Sequence, residues 1–165
     1  MRAMMAYFTD LSQGTEIGAE RPWVTVNLME EVPEPDVVVG EELYESKSSI
    51  SCHGEDGEGT GANSGPALWG DDSFNDGAGM GRLTKMAGYL QNNMPPGDAE
   101  DLTDQEAADL AAFLLMQDRP VWEGHDDDFP HGKRPSDIIT ENRRIEIQDG
   151  DFDWSDIENI VPREE

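Results

Sequence analysis

A small, single-cored and mainly α-helical fold is what this 165-residue sequence predicts, and three observations predict it. Apolar residues recur at helical spacing in separate stretches, capping residues stand where such stretches begin, and proline and glycine collect between them. At this length one core is expected. Only 36% of the residues are hydrophobic, so something besides side chains must help to fill it.

Taken in order, Met4, Met5, Phe8 and Leu11 fall at i, i+1, i+4 and i+7, a short amphipathic helix ended by Gly14. Residues 15–36, with Pro22, Pro33 and Pro35, read as an extended linker wrapping the domain. Asp36 can cap a helix running to about Ser49, with Gly40 and Tyr44 one turn apart on its inward face. Met80 to Gln91 reads as another helix. The clearest is Thr103 to Gln117, where Thr103 and Glu106 form a capping box and Ala107, Leu110, Ala111 and Leu114 an apolar stripe. From Arg119 to Glu165 the chain is polar, with fourteen acids against six bases, although Trp122, Phe129, Phe152 and Trp154 predict local packing onto the domain. There is no internal repeat.

The chemistry lies in Ser49-Ile50-Ser51-Cys52-His53. This is the c-type haem attachment pattern C-x-x-C-H with serine in place of the first cysteine. Cys52 alone can form a thioether, and His53 is placed to take the iron as proximal ligand, because an imidazole beside the attached sulfur is held over the metal whether or not the other vinyl is bonded. On these five residues a buried cysteine beside a chance histidine stands equal to that reading, and the flanks decide between them.

Those flanks are Gly40-Glu41-Glu42-Leu43-Tyr44, then Gly54-Glu55-Asp56-Gly57-Glu58-Gly59, Gly65-Pro66-Ala67-Leu68-Trp69-Gly70, and Asn92-Asn93-Met94-Pro95-Pro96-Gly97. With the attachment motif between the first two, the ordered set resembles a class I cytochrome c domain. The resemblance implies a helical fold wrapped around one covalently attached haem. A glycine-rich turn would border one haem edge, the Pro66 carbonyl would receive the proximal imidazole N–H, a Met-Pro loop would supply the second axial ligand, and the Thr103 helix would cross the Asp36 helix at Gly40. Glycine permits close backbone approach to a flat cofactor, and a carbonyl partner fixes the tautomer of a ligating histidine, so the physics agrees.

Ser73-Phe74-Asn75-Asp76-Gly77-Ala78-Gly79-Met80 and Arg2-Ala3-Met4-Met5-Ala6-Tyr7-Phe8-Thr9-Asp10-Leu11-Ser12 sharpen the match. They resemble, respectively, an insert in the second haem domain of dihaem cytochromes of the thiosulfate dehydrogenase type and the last helix of the domain preceding it there. The resemblance implies three parts. Residues 1–35 are a helix and linker remaining from a preceding domain, 36–120 the cytochrome c domain, and 121–165 an acidic C-terminal extension. It also assigns substrate oxidation to the absent first haem, leaving this chain the electron relay.

For the sixth ligand the sequence favours Met94, whose loop is stiffened by Pro95 and Pro96. Met86 falls in a helical run and Met80 in a glycine-rich turn. In the resembling family a lysine can precede the methionine and compete for iron; here Asn93 stands there, so plain His/Met ligation is expected, with a higher potential than bis-histidine. Trp69, Asn75 and Arg82 are candidate donors to the haem propionates, against the readings of Trp69 as packing and Arg82 as a surface cation. His125 and His131 could hold a metal weakly, but their proline- and glycine-rich surroundings favour a solvated loop. Asp149, Asp151 and Asp153 imitate a calcium loop that Trp154 and Ile160 spoil, at the positions requiring glycine and a bidentate glutamate.

The formal charge is −26, from 37 acids against 11 bases. Such a surface disfavours nucleic acid and suits a saline environment; one acidic face for a basic redox partner is the alternative, and the even spread of acids argues against it. A single cysteine excludes an intramolecular disulfide and a cysteine-rich metal site. No run approaches a membrane span, and residues 1–8 do not read as an export signal. The resemblance nevertheless requires an extracytoplasmic location, since haem is attached there. Single-electron transfer through one haem c is the function expected. The alternatives are the relay half of a sulfur-compound oxidoreductase, so that enzyme status stays open, and a degenerate haem-free fragment. The partner implied is a redox protein or a preceding haem domain.

Overall fold

The computed structural model describes residues 2–14, 27–61, 64–97 and 102–164. It is mainly helical: α1 (Arg2–Leu11), α2 (Val37–Ser46), α3 (Ser49–His53), α4 (Leu83–Asn93), α5 (Asp104–Met116) and α6 (Glu141–Asp149), with a short parallel pair of strands, β1 (Val32–Pro33) and β2 (Ile160–Val161).

At α5 the expected capping box is present: the Glu106 N–H donates to the Thr103 hydroxyl at 3.2 Å, and the Thr103 N–H to the Glu106 carboxylate at 2.9 Å. The helix is buried almost all round, from Ala107 to Leu115, and forms the centre of the core. Asp36 caps α2 by accepting from the Val38 and Val39 N–H groups. Gly40 is where α2 meets α5: a Cβ there would fall 2.2 Å from the Asp109 carbonyl oxygen and 2.7 Å from the Phe113 Cβ, so only glycine permits the crossing.

Two sequence expectations are corrected in detail. The Asp36 helix does not run on to Ser49. It stops at Ser46, Ser48 adopts a left-handed conformation (φ 63°), and the attachment motif starts its own short helix at a new angle. Met80 lies in a 3-10 turn, Gly79–Gly81, ahead of α4 rather than within it, because Arg82 is extended. Beyond Arg119 the chain does pack locally onto the domain, with aliphatic residues joining the aromatic ones: Ile139, Ile147 and Ile157 enter the core, and Phe152 and Trp154, edge to face with each other, pack against it. Trp122 and Phe129 each remain 37% exposed.

Of the segment read as linker, residues 15–26 lie outside the described residues. From Met29 onward it enters the core, with Val32 fully buried and β1 paired in register with β2.

Three carboxylates, each at most 1% exposed, tie distant parts together. Asp109 accepts from the Asp36 N–H (2.7 Å), from Gln105, and from both Nη atoms of Arg163 (2.7 and 3.0 Å). Asp137 accepts from Arg82 Nε (2.9 Å) and from the Thr84 N–H and hydroxyl. Asp76 accepts from the Trp122 N–H (2.8 Å), His125 Nε2 (2.8 Å) and Arg144 Nη1 (3.1 Å). Buried charge is tolerated only when it is so paired.

Candidate haem site

His53 ends α3, buried, and its Nδ1 lies 2.8 Å from the Pro66 carbonyl oxygen. A carbonyl can only accept, so Nδ1 carries the proton and the lone pair stays on Nε2, the nitrogen free to meet a metal. Gly65 allows the approach: a Cβ there would stand 2.1 Å from the Cys52 carbonyl oxygen and 2.8 Å from Nδ1.

A glycine-rich turn folds back around this pair. Gly54, Gly57 and Gly59 all have positive φ, and a Cβ on Gly57 would penetrate the Trp69 indole at 2.3 Å. Backbone bonds close the turn, Gly59 N–H to the His53 carbonyl and Leu68 N–H to the Gly57 carbonyl, each 2.8 Å. The Thr60 hydroxyl donates to the Cys52 carbonyl. From behind, the Tyr44 hydroxyl donates to the Gly54 carbonyl at 2.7 Å. Burial, helped by Glu58, pushes that phenol up to about 12, so it stays a donor throughout the physiological range. Tyr44, Trp69 and Phe113 meet with centroids 5.2 to 5.9 Å apart, which locks α2, α5 and the turn into one wall.

Cys52 is exposed and Ser49 half-buried one turn earlier on the same helix, so α3 presents a thiol and a hydroxyl where the usual pattern has two thiols. Met94 follows α4 in an extended conformation, half-buried against the core; Met80 is half-buried too, while Met86 is consumed as core packing.

Of the candidate propionate donors, Trp69 forms part of the aromatic wall. The Asn75 side-chain oxygen, Oδ1, accepts from the Gly77 N–H at 3.1 Å. Arg82 is committed to Asp137. His125 is a structural residue and not part of a solvated loop: its Nδ1 accepts from Arg134 Nη2 at 2.8 Å, which puts the proton on Nε2 facing Asp76. His131 is exposed. Sequence reasoning missed Asp76, Asp137, Arg119 and Arg144, whose partners are far away along the chain. Asp109 left one signal, a charge set among the apolar residues of a helix.

The donor set fits a c-type haem. An imidazole with its free nitrogen fixed by a carbonyl sits next to an exposed thiol, and the glycine positions that clear the backbone would be filled by any Cβ.

Comparison with known proteins agrees. Residues 35–114 match the family described as cytochrome C oxidase, cbb3-type, subunit III. The chain is 37% identical over 142 residues to thiosulfate dehydrogenase of Psychrobacter arcticus, covering 84% of this chain and 43% of that protein. It is 42% identical over 124 residues to the thiosulfate dehydrogenase of Allochromatium vinosum, covering 73% and 46%. Among solved structures, thiosulfate dehydrogenase (TsdBA) from Marichromatium purpuratum, in its as-isolated form, aligns with a TM-score of 0.57 at 31% identity, over 74% of this chain and 29% of that one. The chain spans less than half the length of these curated relatives. With the geometry of His53 and its loop, these matches place the chain among the class I c-type cytochromes, as a relative of the C-terminal haem domain of dihaem thiosulfate dehydrogenases.

Proposed function

We propose that this domain carries single electrons through one c-type haem, tied to the chain by Cys52 alone and ligated by His53 and Met94. The observation that carries the reading is the 2.8 Å contact from His53 Nδ1 to the Pro66 carbonyl beside an exposed Cys52. A haem held there supplies a one-electron ferric–ferrous couple.

Pro66 keeps Nδ1 protonated and the ring aimed, while Gly65 and Gly57 keep the backbone clear. Asn93, in the place where a competing ligand could stand, spends its amide donating to Asn27 Oδ1 (2.7 Å) and the Tyr89 carbonyl (3.0 Å). That supports Met94 as an unrivalled ligand from its own loop.

The similarity to thiosulfate dehydrogenases supports a second, compatible role as the relay half of a sulfur-compound oxidoreductase outside the cytoplasm, with substrate chemistry at a partner haem domain. No helix among the described residues is long and apolar enough to cross a membrane.

The test is a pyridine haemochrome spectrum with intact mass on protein matured by a cytochrome c attachment system. One covalent haem should be present, its α-band between those of b-type and two-thioether haem; a chain with no added haem mass refutes the proposal. Met94→Ala should then abolish the near-infrared sulfur-to-iron band, and an unchanged band transfers the ligand to Met80.

A further inference from the structure

A second concavity is built from residues that take no part in the haem site. Where the chain enters α2 it meets the end of α6, the segment that follows α6, and Arg163, and a cavity of about 280 Å³ is left between them. Val37 and Ile147 give it apolar surface. Phe152 and Trp154 add two half-buried aromatic rings, their centres 4.9 Å apart and their planes at 81°.

Its charged groups are of two kinds. Glu34 and Asp36 are exposed acids on the α2 side. Asp36 spends Oδ1 on the cap of α2, and its Oδ2 has no hydrogen-bond partner among the described residues. Beside them, Arg163 gives Nη1 to the Glu34 carbonyl (3.2 Å) and to Asp109 (2.7 Å), and Nη2 to Asp109 (3.0 Å). A guanidinium has five N–H groups, so Nε–H and one N–H of Nη2 stay unspent among the described residues. Arg163 and Asp109 offset each other, and the two acids leave the cavity net negative.

An apolar hollow with a few convergent charged groups is the usual form of a small-ligand site. Aromatic rings next to carboxylates suit a bulky, weakly hydrated cation. Spare guanidinium donors suit a carboxylate. We propose that this cavity binds a betaine-type zwitterion, a quaternary ammonium joined to a carboxylate by a short carbon chain. The ammonium lies against Trp154 near the Asp36 and Glu34 carboxylates, and the ligand carboxylate takes the free donors of Arg163. Such a ligand bridges the entry to α2 and the chain beyond α6, so it stabilises the fold by mass action.

The experiment is a titration of the purified full chain with glycine betaine, followed through the tryptophan indole N–H resonances by NMR. One resonance should shift and saturate, and it should be the one missing from Trp154→Leu. Choline, which lacks the carboxylate, and 3,3-dimethylbutyrate, which lacks the positive charge, should each bind at least about tenfold more weakly, the size of one lost charged contact. Sucrose, which acts by exclusion from protein surfaces, should leave the resonance in place. Asp36→Asn retains a capping residue and so the fold, yet should weaken betaine several-fold, which keeps the site testable if Trp154→Leu does not fold. A drift that never saturates, choline binding as tightly as betaine, or an unchanged affinity in Asp36→Asn overturns the proposal, and none of these results bears on the haem.

Discussion

The front of the molecule, from Ser49 to Gly70, and the back, from Arg119 to Glu164, are held by different forces. Among the described residues no ion pair braces the front. It is closed by backbone hydrogen bonds, glycines at positive φ and one aromatic cluster. The back is pinned by buried carboxylates meeting arginines and a histidine. The difference teaches that cofactor fit here is set by shape, which tolerates no added atom, and domain closure by charge, which tolerates no lost partner.

The sharpest way to break the comparison is at Asp76. Asp76→Ala leaves Arg144 buried without its partner and should cost about 3–5 kcal/mol, read as a fall in melting temperature. Acid should reproduce part of this. Burial alone would raise the Asp76 carboxyl, but hydrogen bonds from Trp122, His125 and Arg144 outweigh it and hold the group below its ordinary value. A carboxyl lowered in the fold contributes stability that is present above its unfolded value, about 3.9, and lost as pH falls through the folded one. Melting temperature should therefore drop in acid for the wild type, and less steeply for Asp76→Asn. If the two acid limbs coincide, the back is not held by this charge.

The front should respond to volume instead. Gly57→Ala combines a left-handed backbone with a methyl inside the Trp69 ring and should cost about 1–3 kcal/mol, with reduced haem incorporation and little dependence on pH. A strongly pH-dependent loss would erase the distinction between the two regions.

The smallest effect is expected from salt. The net charge of −26 opposes the compact state, and the Debye length shrinks from about 10 Å at 0.1 M to about 3 Å at 1 M, so melting temperature should climb through molar salt, alike in NaCl and KCl. Equal stability in dilute buffer and molar salt would favour the acids as a docking face for a basic partner.

How much of this was legible follows from how local each cause is. The capping box and apolar stripe of α5 act within one helix, and the attachment motif within five residues, so both could be read directly. The Gly40 crossing and the His53–Pro66 contact came with the family resemblance and lie where it put them. Helix α6 was not legible, because Ile145 and Ile147 give it no apolar stripe and tertiary contact with α5 supplies the burial. The carboxylate frame was not legible either: Asp76 meets His125 and Arg144 across 49 and 68 residues, and Arg82 meets Asp137 across 55, separations over which no periodicity operates.

The parallel pairing of Val32 with Ile160 also orders events in time. Synthesis runs from the first residue to the last, so Cys52 and His53 emerge more than a hundred residues before the strand that closes against β1. Until Arg163 reaches Asp109, the N–H at the cap of α2 lacks its final brace, and the attachment helix beyond it hangs on an unfinished frame. The motif is thus made while the fold around it is still open, and the late-arriving strand acts as the fastener of the finished domain.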